Sequence, residues 1–318
     1  MTDSVLKVVV HKARQQGGNV LVLDLCAADD TPLPAFEAGA HVDVHLPDGL
    51  VRQYSLCSDP ADPGFYRLGV LKDPASRGGS EAVHATLREG SVVTISAPRN
   101  LFPLAVDAQR SLLIGGGIGI TPMIAMAHAL HARGADFELH YCGRSRSQAA
   151  FLQELASAAF SQRVSTHFDD EPAGKFDLNA VLGAAAPGCH VYTCGPSGFM
   201  TWVIDAATAA GYGNEQVHRE YFQVEVDGSG EAFEVHTARS GKTLQVHAGQ
   251  SIVQALAEVG IAIDVSCEQG VCGTCLCDVL EGEPDHRDVY LTADEREAND
   301  QMLLCCSRAR SGRLVLDI

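Results

Sequence analysis

The stretch SCEQGVCGTC (residues 266–275) decides how the last third of this chain has to fold. It contains Cys267, Cys272 and Cys275, with Gly270 and Gly273 between them. Glycine accepts left-handed backbone angles and leaves neighbouring amides free to approach a bound group. The stretch therefore predicts a loop wrapped around a group that thiolates bind, rather than a helix or a strand.

The cysteine spacing C-x4-C-x2-C, completed by one distant cysteine, is the plant-type pattern for a [2Fe-2S] cluster. The distant cysteine is available as Cys305 or Cys306. Zinc is the alternative, since four cysteines can bind it tetrahedrally, although structural zinc sites more often pair two short CxxC knuckles. Cys277 lies just outside the loop and is expected to be an ordinary small side chain in the following strand.

Length and charge narrow the possible functions. A chain of 318 residues suggests two or three domains. The formal net charge of -17 excludes nucleic acid as a partner and favours a basic docking surface on another protein. The amino terminus lacks the features of a secretory signal, so we expect a cytoplasmic protein without disulfides, in which clustered cysteines serve a metal or redox centre.

Residues 111–132 form an uncharged run that is long enough to raise the question of a membrane span. The run contains several glycines, Pro122 and two histidines. We therefore expect a buried strand, a loop and a helix, and no membrane contact.

Three regions differ in their hydrophobic pattern. Residues 1–103 contain short alternating segments, such as 20–25 and 42–46, separated by turn residues, which predicts an antiparallel barrel or sandwich. Residues 104–226 alternate apolar strands with Ala-rich helices, which predicts a parallel sheet with helical crossovers. The strands are expected at 111–114, 137–142, 164–168 and 190–193, and the helices at 121–132, 149–160 and 197–210.

Residues 229–318 form the third region, after a stretch at 227–230 that we interpret as a flexible joint. Residues 233–238 and 243–247 predict a hairpin, and residues 251–259 a helix capped by Ser251. The fold class is therefore multidomain.

Three motifs in the first two regions suggest phosphate binding. The string RQYS contains Arg52, Tyr54 and Ser55, and an arginine suits a phosphate. After a strand that ends at Val70, Leu71 and Lys72, the sequence Arg77, Gly78, Gly79, Ser80 precedes a predicted helix, where free amides can bind phosphate. The string GGGIGITP follows the strand at 111–114 and includes the candidate nucleotide-binding residues Gly117, Gly119, Thr121 and Pro122.

The order of these motifs resembles the flavin-dependent ferredoxin reductase superfamily over about residues 5–225. The resemblance implies a barrel domain in which Arg52 and the segment Gly78, Gly79, Ser80 hold the flavin phosphate. Tyr54 would pack on the flavin ring, with Val70 and Lys72 also at the flavin site, and Ser55 would lie near its redox-active nitrogen. Cys194 and Gly195 match the nicotinamide-side motif, so Ser55 and Cys194 are the candidate catalytic residues.

The third region resembles a plant-type ferredoxin domain, an α+β fold of the β-grasp type. In that family the last ligand stands between an apolar pair and the closing strand, which favours Cys305 over Cys306 as the partner of Cys267, Cys272 and Cys275. The order of flavin, nicotinamide and ferredoxin domains is similar to the phthalate dioxygenase reductase family. That family uses FMN, and Phe222 matches the phenylalanine that covers its flavin.

The resemblance implies that NADH passes electrons through FMN and a [2Fe-2S] cluster to a Rieske-type oxygenase component that acts on a small, aromatic substrate. Supply of a haem-thiolate monooxygenase and reduction of quinones or ferric chelates are alternatives, and a cluster-based redox sensor is another. Arg144 and Arg146 could accept the 2'-phosphate of NADPH, but the family favours NADH. A monomer is expected, and no general acid or base can be named from the sequence.

Overall fold

The computed structural model describes residues 5–29, 31–74, 78–171, 176–223 and 226–318. The chain divides into two compact units, Met1–Phe222 and Gln223–Ile318. The first unit contains an antiparallel sheet followed by a parallel sheet, and the second contains a smaller mixed sheet.

The antiparallel sheet forms a barrel. Its main strands are rich in Val and Leu, and their sheet order is β4-β3-β6-β1-β2-β5, with the short β7 beside β3. A bridge between Leu56 and Leu68 joins the chain after β4 to β5 and closes the barrel. The strands are β1 (Val5–Gln16), β2 (Val20–Ala27), β3 (Ala40–His45), β4 (Val51–Ser55), β5 (Tyr66–Leu71), β6 (Val92–Ser96) and β7 (Arg99–Asn100). The strands expected at 20–25 and 42–46 are confirmed.

Helix α1 (Gly79–Thr86) follows β5, as expected. The parallel sheet then has the order β10-β9-β8-β11-β12. Its strands are β8 (Arg110–Gly116), β9 (Asp136–Gly143), β10 (Val164–Phe168), β11 (Cys189–Cys194) and β12 (Val217–Glu220). The helices of this part are α2 (Ile120–Ala132), α3 (Leu152–Ser157), α4 (Leu178–Leu182) and α5 (Ser197–Ala209). The strand order reverses between β8 and β11, and in open parallel sheets ligands bind at such a switch point.

The uncharged run at 111–132 supplies β8, a glycine turn and α2, as the sequence predicted. Both elements are buried, since Leu112 to Ile114 and Met123 are fully shielded from solvent. Within the described ranges, no helix has the length and apolarity that crossing a membrane requires.

The helix expected at 149–160 is wrong in extent, because α3 covers only Leu152–Ser157. Phe151 has a left-handed backbone with φ of 63°, and its amide donates to Gln16 Oε1 at 2.7 Å. The left-handed backbone at Phe151 delays the start of the helix, the Gln16 side chain pairs the amide there, and the extended backbone at Ala158 (ψ 148°) ends the helix.

The second unit packs α6 (Ile252–Glu258) against the mixed sheet β14-β13-β19-β15-β17. The hairpin of β13 and β14 and the cap by Ser251 are confirmed. The remaining elements of this unit are β13 (Phe233–Thr237), β14 (Thr243–Val246), β15 (Leu276–Glu281), β16 (Pro284–Asp285), α7 (Ala293–Ala298), β17 (Gln301–Leu303), β18 (Arg308–Ala309) and β19 (Arg313–Leu316).

The flexible joint expected at 227–230 is instead attached to the second unit. The Arg287 guanidinium donates to the carbonyl of Asp227 and, at 2.6 Å, to that of Ser229. The Gly249 amide donates to Gly228 O at 3.0 Å. These bonds hold the segment on the second unit.

We predict that Ser251→Ala weakens α6 locally. The Ser251 hydroxyl accepts a bond from the Gln254 amide, and the Gln254 side-chain oxygen accepts one from the Ser251 amide. Loss of such a cap costs about 1 kcal/mol, or roughly a fivefold increase in helix opening. Amide hydrogen exchange across α6 should accelerate by this factor, whereas Ser251→Thr, which keeps the hydroxyl, should exchange like the wild type. Equal exchange in all three proteins would contradict the prediction.

Candidate functional site

Two turns meet at the carboxyl edge of the parallel sheet. Strands β8 and β11 are neighbours, with Gly115 in register with Cys194. A methyl group at Gly119 would lie 2.3 Å from the Cys194 carbonyl oxygen, so the two turns are in direct backbone contact. Gly117 has φ of 57°, a left-handed conformation that glycine adopts without strain. The turns together form a backbone-lined edge that a nucleotide can approach closely.

The predicted nucleotide residues that follow these glycines shape the turn. Thr121 is buried, and its hydroxyl donates to Ile118 O at 3.0 Å. Pro122 is buried in the first turn of α2. The ring of Phe199 lies against this edge, because a methyl at Gly116 or at Gly195 would approach it within 2.7 or 2.9 Å. Phe199 was not predicted as a site residue, although it stands only four residues after Gly195 of the nicotinamide-side motif.

The second part of the site lies on β4 and α1. Arg52 and Tyr54 are half-buried and share one face of β4, in register with Val44 and Val42. A methyl at Gly79 would lie 2.4 Å from Arg52 Nε, so the start of α1 lies directly against the guanidinium. A helix amino terminus beside an arginine is suited to a phosphate. Arg77 lies outside the described residues.

The other residues predicted for this region have mainly structural contacts. The Ser80 hydroxyl accepts a bond from the Asp73 amide at 3.1 Å. Val70 is buried in β5, and its carbonyl oxygen lies 2.9 Å from His84 Nε2. The amide of Lys72 donates to Asn19 O at 2.8 Å. Together these bonds attach the end of β5 and residues 72–73 to the turn before β2 and to the first turns of α1.

A buried carboxyl group joins the barrel to the parallel sheet. The Ser55 hydroxyl donates to Glu220 Oε2 at 3.1 Å, and Glu220 is in register with Cys194 on the neighbouring strand. Burial raises the pKa of Glu220 to about 8, and the bond from Ser55 opposes this only in part. Burial also raises the pKa of the Cys194 thiol. The two candidate catalytic residues are thus brought together around an acid that is protonated at neutral pH.

Glu220, the first residue of the Glu-x-Phe segment that ends in Phe222, was not among the candidate catalytic residues, because the sequence gives no sign that its carboxyl is shielded. Ser55, which is distant in sequence, donates to that carboxyl in the folded unit. Phe222, two residues later, is half-buried against the same core as Tyr54. A phosphate anchor and two partly buried rings fit a flavin mononucleotide.

The predicted cluster cysteines converge in the second unit. The Cys267 thiol contacts those of Cys272 and Cys305, and the Cys275 thiol contacts that of Cys305. These contacts gather the four thiols in one place, as a group with two irons and four thiolates requires. None of the eleven cysteines, all of which lie in the described ranges, forms a disulfide. Across the ranges that the structure covers, no three His, Cys, Asp or Glu side chains form a site for a single metal ion.

The loop backbone is arranged around Cys267. The amides of Gln269 and Val271 donate to its sulfur at 3.3 and 3.5 Å. The neighbouring thiols, assisted by these amides, hold the pKa of Cys267 well below its usual range. Such amide bonds to sulfur favour the thiolate form that iron requires.

Two further cysteines lie near the loop. A methyl at Gly270 would come within 2.5 Å of Cys306 Sγ, so this thiol fills the space behind the glycine. Cys277 lies in β15, the strand expected for it, and its thiol donates to Asp278 O at 3.4 Å.

The two arginines considered for a 2'-phosphate differ in their contacts. Arg146 forms two bonds to Glu171, at 2.5 and 3.2 Å, and its guanidinium lies 4.8 Å from the centre of the Phe168 ring. The backbone carbonyl of Arg144 accepts the Asp170 amide at 3.3 Å. Arg146 is therefore already neutralised by a carboxylate, which agrees with NADH rather than NADPH.

Two family models match the chain. Residues 235–310 match the 2Fe-2S iron-sulfur cluster binding domain. Residues 97–217 match the amino-terminal domain of dimethylamine monooxygenase subunit DmmA-like proteins. The first match covers the whole cysteine loop and Cys305.

Relatives extend the similarity to the full chain. The vanillate O-demethylase oxidoreductase of Pseudomonas sp. (strain HR199 / DSM 7063) is 51% identical over 98% of this chain and 100% of its own. The reductase subunit of the tert-butanol monooxygenase / tert-amyl alcohol desaturase of Aquincola tertiaricarbonis is 41% identical over 98% of this chain and 96% of its own.

Two solved structures have the same architecture. Phthalate dioxygenase reductase, described as a modular structure for electron transfer from pyridine nucleotides to [2Fe-2S], matches with a TM-score of 0.76 and 36% identity over 99% of this chain and 98% of its own. An intact type IV self-sufficient cytochrome P450 monooxygenase matches with a TM-score of 0.85 and 39% identity over 99% of this chain, which spans 41% of that longer protein. The chain thus belongs to the phthalate dioxygenase reductase family and is an oxygenase reductase component that uses NADH, FMN and a [2Fe-2S] cluster.

Proposed function

We propose that this reductase supplies the Rieske-type centre of a separate oxygenase that hydroxylates or demethylates a small aromatic acid. The observation that carries this proposal is the full-length similarity, at 51% identity, to a vanillate O-demethylase oxidoreductase. The organic substrate would bind to the oxygenase and make no contact with this chain. When bound, FMN accepts two electrons from NADH and releases them singly to the cluster.

Arg52 and the start of α1 are proposed to hold the FMN phosphate. The guanidinium lies against Gly79, and Gly78 leaves the first amides of α1 open. Tyr54 and Phe222 are proposed to cover the flavin ring, because both are half-buried beside the same core. Gly117, Gly119 and Gly195 would admit the nicotinamide nucleotide, with Thr121 and Pro122 supporting the turn. Val70, Lys72 and Ser80 would hold the end of β5 against the first turns of α1.

Glu220 and Ser55 are proposed to hold a proton beside the flavin. With a pKa of about 8, Glu220 keeps its proton at neutral pH. If the Ser55 hydroxyl gave its proton to a bound flavin, Glu220 would supply the replacement and would then regain a proton from solvent. Cys194, fully buried beside Glu220, excludes water and lines the nicotinamide side. These residues would thus orient the nicotinamide and the flavin and keep a proton available on Glu220.

We predict that Glu220→Gln slows reduction of the bound flavin by NADH on the order of 10²-fold, because a positioned proton is lost. In the wild type the rate should fall as the pH rises through about 8, since Glu220 then loses its proton. The variant should show no break at that pH. Stopped-flow measurement of flavin bleaching tests both statements.

The matched control is Glu215→Gln, an exposed carboxylate just before β12, which should behave like the wild type. A wild-type rate that is flat from pH 6 to 9, or a variant that keeps the break near pH 8, would contradict the role of Glu220.

Cys267, Cys272, Cys275 and Cys305 are proposed as the cluster ligands. Cys306 is the competing candidate for the fourth position. The Cys306 thiol lies against Gly270 and beside that of Cys305, whereas the Cys305 thiol also contacts those of Cys267 and Cys275. These contacts favour Cys305.

We predict that Cys305→Ser abolishes the visible absorption and the paramagnetic signal of the reduced cluster while leaving flavin bound. Cys306→Ser, the matched control, should retain the cluster because its thiol only fills space. Absorption spectra and iron content of the two variants, normalised to flavin, measure the difference. Loss of the cluster in Cys306→Ser together with its retention in Cys305→Ser would reverse the assignment.

The acceptor is proposed to dock on the acidic cluster-bearing region. Residues 229–318 hold 15 acidic and 7 basic side chains, and the other 228 residues hold 25 and 16. The third region is thus about twice as acidic per residue. Asp264, Asp278 and Glu281 are exposed near the cysteine loop. A basic surface on the oxygenase would be attracted to these acidic side chains.

We predict that electron transfer to the oxygenase slows as ionic strength rises, because salt screens exposed charges. NADH oxidation with ferricyanide, which does not depend on this face, should change far less. Asp264→Asn combined with Glu281→Gln should reduce the salt dependence, and Glu37→Gln with Asp48→Asn in the first unit should not. Identical salt responses with both acceptors would contradict docking by charge.

A haem-thiolate acceptor is the second candidate, supported by the structural match to a self-sufficient cytochrome P450 monooxygenase. Efficient reduction of a haem-thiolate enzyme, without reduction of a Rieske oxygenase, would favour it. Steady NADH turnover separates either reductase from a redox sensor.

The proposed domains are 1–103, 104–226 and 229–318, because β7 ends at Asn100 and β8 begins at Arg110. We propose a cytoplasmic protein, since a thiolate-bound cluster needs reduced cysteines and the eleven cysteines, all in the described ranges, form no disulfide.

A further inference from the structure

A buried aspartate lies directly behind the cysteine loop. The side chain of Asp288 is completely shielded from solvent. A methyl at Gly270 would lie 2.9 Å from its Cα and Cβ atoms, so the two backbones pack without space for a side chain between them. The Val289 amide donates to Gly270 O at 3.0 Å. The loop and the segment that begins at Asp288 are therefore joined by packing and by a hydrogen bond.

The Asp288 carboxylate organises this segment into a turn. Its Oδ2 atom accepts bonds from the amides of Tyr290 at 3.0 Å and Leu291 at 2.8 Å. The turn places the Tyr290 ring against Gly273, where a methyl group would approach the ring within 2.4 Å. One carboxylate thus fixes a turn that covers both glycines of the cysteine loop.

The same carboxylate connects two other segments. Arg296 Nη2 lies 3.6 Å from Oδ2 and donates to the Asp288 carbonyl at 2.7 Å. The Ser307 hydroxyl donates to Oδ1 at 3.5 Å, and His286 Nδ1 lies 3.8 Å from that atom. Ser307 follows Cys305 and Cys306 directly. Asp288 therefore links the cysteine loop, α7 and the segment that carries the fourth proposed ligand.

We propose that Asp288 is a positioning residue for the cluster: it holds the loop and the Cys305 segment at their mutual distance, and its charge lowers the cluster's reduction potential. A negative charge in a poorly solvated site disfavours the addition of an electron nearby. The proposal rests on the assignment of the cluster to this loop.

Two substitutions separate the geometric role from the electrostatic one. Asp288→Asn keeps a carbonyl oxygen that can accept both turn amides, but it removes the charge. Asp288→Ala removes both the oxygen that accepts the turn amides and the charge. The matched control is Asp294→Asn, which makes the same change of charge at an exposed position of α7.

The experiment uses the full-length protein with its flavin and cluster. Asp288→Asn should retain the cluster and its paramagnetic line shape, and its midpoint potential should be more positive than that of Asp294→Asn. Asp288→Ala should lose iron to a chelator at least about tenfold faster than the wild type, as is usual when an outer-shell partner is removed. Its line shape should also change, while flavin stays bound.

The proposal is overturned if Asp288→Asn has the midpoint potential of Asp294→Asn, or if a folded Asp288→Ala releases iron at the wild-type rate. Should Asp288→Ala fail to fold, the potential of Asp288→Asn decides alone. A wild-type protein that binds no cluster would instead defeat the cluster assignment together with this proposal, so the two failures are distinguishable.

Discussion

The hydrogen bond between Ser55 and Glu220 is the constraint on which the first unit depends. Ser55 ends β4 of the barrel, and Glu220 ends β12 of the parallel sheet. A buried carboxyl without a partner is costly, so the acid is stable here only when it keeps its proton and meets the hydroxyl. The core behind it is continuous, with barrel residues such as Val42 packed in the same cluster as Tyr141 and Tyr192 of the sheet. Barrel and sheet thus form one unit with a protonated acid at their junction.

Much of this fold could be predicted because its signals are local. The strands at 20–25 and 164–168 and the helix after Ser251 follow from side-chain periodicity and capping within one segment. The glycine turn after β8 is equally local, because Gly117 itself adopts the left-handed backbone conformation that the turn requires. The pairing of β8 with β11 brings Cys194 next to Gly119. This pairing could not be predicted from the sequence of either segment alone.

The failures have a common cause in contacts between distant segments. Helix α3 is shortened because Phe151 has a left-handed backbone, with its amide bound by Gln16, and Ala158 an extended one. The expected joint is held because Arg287 donates to Ser229 O. The environment of the Glu220 carboxyl could not be predicted because it depends on Ser55 of the barrel, which donates to it. In each case a residue distant in sequence supplies a hydrogen bond, and a pattern read from one short segment cannot reveal that partner.

We propose that the two units recognise their redox partners by different physical means. NADH and FMN are small, so the first unit can bind them by close backbone approach, through Gly119 and through Gly79 beside Arg52. A protein acceptor is too large for such a cleft and must instead be oriented on an exposed surface. The second unit offers acidic side chains around a buried thiolate loop, which suits rapid and reversible docking. Substrate choice can then change in the acceptor while the reductase retains its fold, since no residue proposed here contacts the organic substrate.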